Sequence, residues 1–352
     1  MKTKRLLAAL ALAAALGGLA APARAQTVCK NEPGARPLSF TLALHQRFVT
    51  TYKNRALLTT NFNVYRYPER PHSIKSSGDD GDIHIAGRDD VVRLPFVAEI
   101  MNPRYFKTLE GDDNLDFMKI LRETSREQPV EVTGVWRLWF EHPGEAGEAQ
   151  VMGLPVPIPA DTSPPHYFEL HPVTSFGGKD TMASFIEIKD YKKDADGEPK
   201  VYEAHPGSKT VPYYECLDYS VVARPMDDGR AGIVMASKKA QYNYTDLVIE
   251  LVGRPKEYED CFIALAHVYN SFEQEERFTN KPRRMIFVKG SPPALPESRI
   301  RGYRQGTLLR VLGIPRINLD EVAAVARASR GTLQYDRLPY EIIVAAEFVT
   351  EE

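Results

Sequence analysis

The chain is 352 residues long, 43% hydrophobic and 26% charged, with 45 Lys and Arg against 47 Asp and Glu and a formal net charge of −2. That length exceeds the usual size of one domain, so two are expected. Lys2, Lys4, Arg5 and Arg24 are the only charges of the first 25 residues, and without them the net charge moves from −2 to −6, which excludes the generic positive potential that sequence-independent nucleic-acid binding needs.

Residues 1–25 read as a targeting segment. A basic start precedes the apolar run LLAALALAAALGGLAA, and Ala23-Arg24-Ala25 supplies a small-x-small cleavage pattern. The run is shorter than the roughly 20 apolar residues of a spanning helix. Cleavage near Ala25 is expected, and with it a periplasmic or secreted location. No later segment is apolar enough to span a bilayer as a helix.

Residues 26–71 form an N-terminal segment, with an amphipathic helix expected over 38–55 and a strand over 57–67 (LLTTNFNVYRY). Residues 72–176 carry four strand phrases: DIHIAGR at 82–88, LPFVAEIMN at 94–102, VEVTGVWRLWF at 130–140 and HYFELHPVTSF at 166–176. Apolar and polar side chains alternate along them with the period of a strand. Residues 177–240 link: ASFIEIKDY and KVYEAH flank a polar tip as a hairpin, and the strands YSVVARP and GIVMASKKAQYNY follow. Residues 241–352 return to short strands, with a loop at 291–298 and one helix, NLDEVAAVARAS, capped by Asn318 or Asp320.

The second half echoes the first in order. DIHIAGR matches VIELVGR (248–254), LPFVAEIMN matches CFIALAHVYN (261–270), VEVTGVWRLWF matches LRVLGIPRINL (309–319), and HYFELHPVTSF matches LPYEIIVAAEF (338–348). Ordered echoes point to two copies of one domain. Short strands with internal glycines suit a small, strongly bent barrel. The expected fold is therefore mainly β: two tandem OB-like barrels, at 72–176 and 241–352, with a few short helices. An immunoglobulin-like sandwich lacks its cysteine and tryptophan spacing here.

The phrases GDDGDIHIAGR, LPFVAEIMN, VTGVWRLWFEHPG and YFELHPV resemble a group of exported bacterial OB-like proteins of unassigned function. The resemblance spans roughly residues 72–176 and implies a fold but no activity. In the echoes, Glu250 stands for His84 and Ile343 for His171, so a site built on those histidines belongs to the first copy alone.

Two constellations carry chemistry. Asp79, Asp80, Asp82 and His84 in DDGDIH, with Glu99, Glu169 and His171 on the same strand parity, form a candidate divalent-metal set on the barrel's outer surface. Asp82, His84, Glu99 and His171 are the candidate ligands. The ordinary alternative is a turn followed by a solvated strand face, with Glu169 paired to Arg137 and its counterpart Glu341 to Arg316. Arg137, Trp139 and Glu141 share outward parity on the third phrase and would form a stacking platform for a sugar or base, or else a covered barrel flank. KPRRMIFVKG (281–290) is the strongest basic cluster, an anion contact or the protection of a strand edge. Three cysteines in an oxidising compartment allow one bridge. Cys216 with Cys261 is the expected pair, leaving Cys29 odd.

There is no G-x-S-x-G elbow, Walker loop, dinucleotide fingerprint, H-E-x-x-H or C-x-x-C. The leading expectation is an exported binding or envelope-associated protein, with a glycan or peptide favoured over nucleic acid as ligand. The alternatives are a metal-dependent hydrolase on the His/carboxylate set and a structural protein that docks on a partner.

Overall fold

The computed structural model describes residues 26–348 apart from 76–77, 104–115, 125–127, 183–188, 194, 198, 202–203 and 291–295. The expected signal segment, the opening of the expected 183–205 hairpin and most of the 291–298 loop lie outside the described residues. The first half contains β1 (Phe40–His45), α1 (Gln46–Tyr52), β2 (Leu57–Arg66), β3 (Ile83–Asp89), β4 (Phe96–Ile100), α2 (Phe117–Glu123), β5 (Val130–His142), β6 (Ala149–Val151) and β7 (His166–Phe176). The second contains α3 (Gly207–Glu215), β8 (Asp218–Pro225), β9 (Ala231–Ser237), β10 (Thr245–Leu251), β11 (Cys261–Tyr269), β12 (Arg283–Val288), α4 (Glu297–Gly302), β13 (Leu308–Ile317), α5 (Leu319–Ala328), β14 (Gln334–Arg337) and β15 (Tyr340–Phe348).

The fold is mainly β, with two closed five-stranded barrels in tandem. The first closes in the order β2-β3-β4-β7-β5, the second in the order β10-β11-β12-β15-β13. In each, the third and fifth strands run parallel and every other pair is antiparallel, the connectivity of an OB-type barrel. Closure bends the fourth strand at a glycine. The β5–β7 register shifts at Gly134, where an added Cβ would lie 2.8 Å from Leu170 Cβ. The β13–β15 register shifts at Gly313, where it would lie 2.6 Å from Ile342 Cγ2. Only glycine lets the facing strand come so near.

A third sheet, β14-β8-β9-β1-β6, joins the barrels. Its edge strand β6 lies in the connection between β5 and β7, and its other edge, β14, in the connection between β13 and β15. Each barrel therefore lends the same connection to an opposite edge.

Where the barrels meet, two arginines cross. Arg137 of β5 donates from Nε to the carbonyl of Pro315 (3.0 Å), and Arg316 of β13 donates to the carbonyl of Trp136 (3.1 Å). Each is paired within its own barrel, Arg137 to Glu169 at 2.6 Å and Arg316 to Glu341 at 2.7 Å. Val135, Tyr244, Cys261, Ile286, Ile314 and Ile343 fill a separate apolar core beside them. Ile343 stands two residues beyond Glu341, as His171 does beyond Glu169.

Several expectations are corrected. Residues 38–55 are not one helix but β1 followed by the short α1. Leu42, Ala43 and Leu44 are all buried and pair with Ile233–Met235, so distant ladder partners override local periodicity. The strand at 57–66 does not belong to a separate N-terminal segment ending at 71 but is the first strand of the first barrel. Consequently two of the four echoes are out of step: DIHIAGR is a second strand and VIELVGR a first, while LPFVAEIMN is a third and CFIALAHVYN a second. Glu250 is thus not the counterpart of His84. The other two echoes fall on matching strands.

The disulfide joins Cys29 to Cys216, and Cys261 is free and buried. Cys216 caps the end of α3, where Cys29 reaches it. Cys261 is held in the inter-barrel core with its Sγ 3.6 Å from the carbonyl of Asn54. The basic run 281–290 is not a strand edge. It forms β12, with neighbours on both sides, and Arg283 and Arg284 are buried against Glu215 and Glu341. The helix at Leu319–Ala328 is capped by Asn318, which accepts from the amides of Asp320 and Glu321.

Candidate metal centre

Strand register builds the site. The antiparallel β3–β4 ladder sets His84 opposite Glu99. The parallel β4–β7 ladder sets Val97 beside Glu169, which brings Glu99 alongside His171 two residues on. The β5–β7 ladder sets Arg137 opposite Glu169 and His142 opposite His166. Neighbouring positions on one sheet face hold their side chains in contact, so four strands lay down a continuous row of histidines and carboxylates.

His84 Nε2 lies 2.6 Å from Asp82 Oδ2 and 3.4 Å from Glu99 Oε1. His72 Nδ1 reaches the other Asp82 oxygen at 2.9 Å, with its ring 4.3 Å from that of His84. His171 Nδ1 touches Glu99 Oε2 and lies 3.7 Å from Glu169 Oε2. Its Nε2 lies 3.0 Å from the Tyr244 hydroxyl and 3.2 Å from Asp80 Oδ2. Glu169 meets His166 Nε2 at 3.1 Å and Arg137 at 2.6 Å, and Arg137 also holds Glu141 at 2.6 Å. His142 stacks on His166 and lies 6.2 Å, ring to ring, from His84. Five of the chain's eight histidines thus gather at one place, a concentration that a solvated strand face does not need.

The set predicted from sequence, Asp82, His84, Glu99 and His171, does come together, but not on an outer surface. Asp80, Asp82, His84, Glu99, Glu169 and His171 are all buried, while the His72 side chain is 46% exposed. The outward strand faces are covered by the segment leading into β3, whose His72 amide donates to the Asp82 carbonyl (2.8 Å), and by Tyr244 at the entry to the second barrel. Burial also removes the stacking platform. Arg137 is fully buried, Trp139 is 1% exposed and edge-on to Tyr214 of α3, and Glu141 is engaged by Arg137.

Burial and charge pull against each other here. Burial works against protonating His84, but Asp82 and Glu99 outweigh it and push the imidazole up to about 10. For His171 the burial penalty is likewise outweighed by its oxygen neighbours, Tyr244 and then Glu99, so it stands well above the usual range. Burial and the charge of Asp82 push Asp80 up to about 6. In Asp82 burial is outweighed by His84 and His72, and in Glu169 by Arg137 and His166, so both carboxyls fall well below the usual range. The bond to Asp82 raises His72, and burial lowers His142.

Several atoms in the cluster are buried without a hydrogen bond: Asp80 Oδ2, His84 Nδ1, Glu99 Oε1 and His171 Nδ1. Oppositely charged atoms lie near most of them, but not along hydrogen-bond directions. Buried polar atoms that converge without pairing are where an ion or water belongs. The ligating atoms of His72, Asp82 and His84 lie within 4.8 Å of one another, as do those of Glu99, Glu169 and His171, and those of His142, His166 and Glu169.

Sequence reasoning missed His72, His142, His166 and Tyr244. His72 lies in irregular chain, and His166 has the parity of the apolar residues Phe168 and Leu170. A register shift between Leu138 and His142 resets the alternation there. Tyr244 comes from the far half of the chain. The chain matches no known family model, and no curated protein matches it significantly.

Proposed function

We propose that the chain is an exported metal-binding protein whose first barrel holds a divalent first-row transition ion on His72, Asp82, His84 and Glu99. The carrying observation is the charge of the buried cluster: Asp80, Asp82, Glu99 and Glu169 converge there, Arg137 pairs with Glu169 alone among them, and histidine nitrogens are aimed among the carboxylates. Mixed nitrogen and oxygen donors suit zinc or manganese better than calcium or magnesium. Export is supported by the signal-like pattern of residues 1–25 and by the Cys29–Cys216 bridge, which an oxidising compartment preserves. Among the described residues, no helix is long and apolar enough to cross a membrane.

One observation favours hydrolysis as the use of that ion. His72, the exposed member, lines a surface hollow of about 610 Å³ together with Arg70, Lys75 and Asp79. An ion with three or four protein ligands and an approach from that hollow would activate a water there.

The test is the metal content of the untagged mature protein, purified without chelator from an oxidising compartment, beside a His84→Ala/His171→Ala variant. Near-stoichiometric metal, lost in the variant, is expected. A metal-free wild type that melts like the variant would overturn the reading.

A further inference from the structure

We propose that the cluster takes two divalent first-row ions, bridged by the carboxylate of Glu99. This rests on the metal-binding reading above and extends it from one ion to a pair.

The geometry of Glu99 carries the inference. Its two oxygens face different histidines: Oε1 lies 3.4 Å from His84 Nε2, and Oε2 touches His171 Nδ1. On the first side stand His72, Asp82 and His84; on the second, Glu169 and His171. Glu99 is 1% exposed and its Oε1 has no hydrogen bond, nor has His171 Nδ1. Each side of the carboxylate thus holds a buried atom that makes no hydrogen bond, Glu99 Oε1 facing His84 and His171 Nδ1 lying against Glu99 Oε2.

The surroundings of the second pocket are those of a ligand set. A metal-bound imidazole donates its far nitrogen to an oxygen, which fixes the ring and its tautomer. His171 Nε2 has two such oxygens, the Tyr244 hydroxyl and Asp80. Glu169 is fixed on one side by Arg137 and on the other by His166. Charge sets the number of ions. With Glu141 at the edge, five carboxylates meet one guanidinium. With the histidines neutral, as metal ligation requires, four negative charges remain: one dication neutralises half of them, and two neutralise all. Paired ions about 4 Å apart, sharing a carboxylate, hold the attacking and leaving oxygens of an ester displacement, so the substrate class is a phosphoester or a related anionic ester approaching from the His72 side.

The experiment loads the full-length mature protein with Mn²⁺. Bound equivalents are counted by equilibrium dialysis, and the electron paramagnetic resonance spectrum is recorded for the wild type, Glu99→Gln and His171→Ala. Two equivalents with an exchange-coupled spectrum are expected in the wild type. Glu99→Gln should lose the coupling, and His171→Ala should fall to one equivalent. One equivalent in the wild type, or two without coupling, overturns the bridged pair and leaves the single-ion reading standing. No bound manganese, repeated with zinc, overturns both. The wild-type result decides even where a variant fails to fold.

Discussion

His84 sits between Asp82 and Glu99, and its protonation has opposite consequences with and without a metal. In chelator-treated protein the imidazole is raised from 6.5 to about 10 by the two carboxylates, against the burial penalty. A base raised on folding contributes stability that is fully present below its ordinary value and lost as pH rises through the folded value. The metal-free protein is therefore expected to lose stability steadily between pH 6.5 and 10, measured by urea unfolding. Metal binding needs the same nitrogen unprotonated, so the stabilisation on adding zinc should grow over that range. Parallel slopes with and without metal would place His84 outside the ligand set. At this scale the sequence was half readable. Alternation along β3, β4 and β7 selects His84, Glu99 and His171 as one set. Alternation does not say what covers that face, so exposure was misjudged for them and for Trp139. Chain that follows no period, such as that around His72, gives no signal at all.

The elements themselves were largely legible, because β3, β4, β5, β7 and α5 each carry a complete local pattern. β1 was not: its apolar run fits a helix or a strand equally, and only pairing with β9 decides between them. The echoes show the same limit. Gly87 and Gly253 match in sequence, yet an added Cβ at Gly87 would lie 2.3 Å from the Asn63 carbonyl, whereas at Gly253 it meets nothing within 4 Å. Generic strand composition produced that likeness. Gly134 and Gly313 match both in sequence and in task. Gly134→Ala is therefore expected to destabilise the protein by about 1–3 kcal/mol, the usual cost of overpacking, and Gly253→Ala to stay within about 0.5 kcal/mol of wild type, as an unconstrained surface change does. Urea midpoints of the two variants check this; equal midpoints would remove the closure role from Gly134.

Two barrels could be read from the chain, but not the sheet that unites them, whose strands come from five separate stretches between residues 40 and 337. The Cys29–Cys216 bridge closes a loop with a sequence separation of 187 residues. Removing a link of that kind costs about 2–5 kcal/mol. Cys29→Ser is expected to lower unfolding stability by that amount under non-reducing conditions and to be insensitive to added reductant, whereas Cys261→Ser should respond to reductant as the wild type does. A wild type whose stability does not respond to reductant would show the bridge to be absent.

The place of β1 also bears on how the molecule comes into being. Phe40 pairs with Ser237 and His45 with Gly232, so the strand nearest the start of the chain has no main partner until nearly two-thirds of the sequence has been made. Its other neighbour, β6, offers a register of only three residues in the meantime. A chain delivered N-terminus first would carry this apolar segment unpaired through most of its delivery, and contacts so distant in sequence form slowly. The first barrel can close around its own five strands while the sheet beside it waits, so completion of the molecule is an event of the second half of the chain.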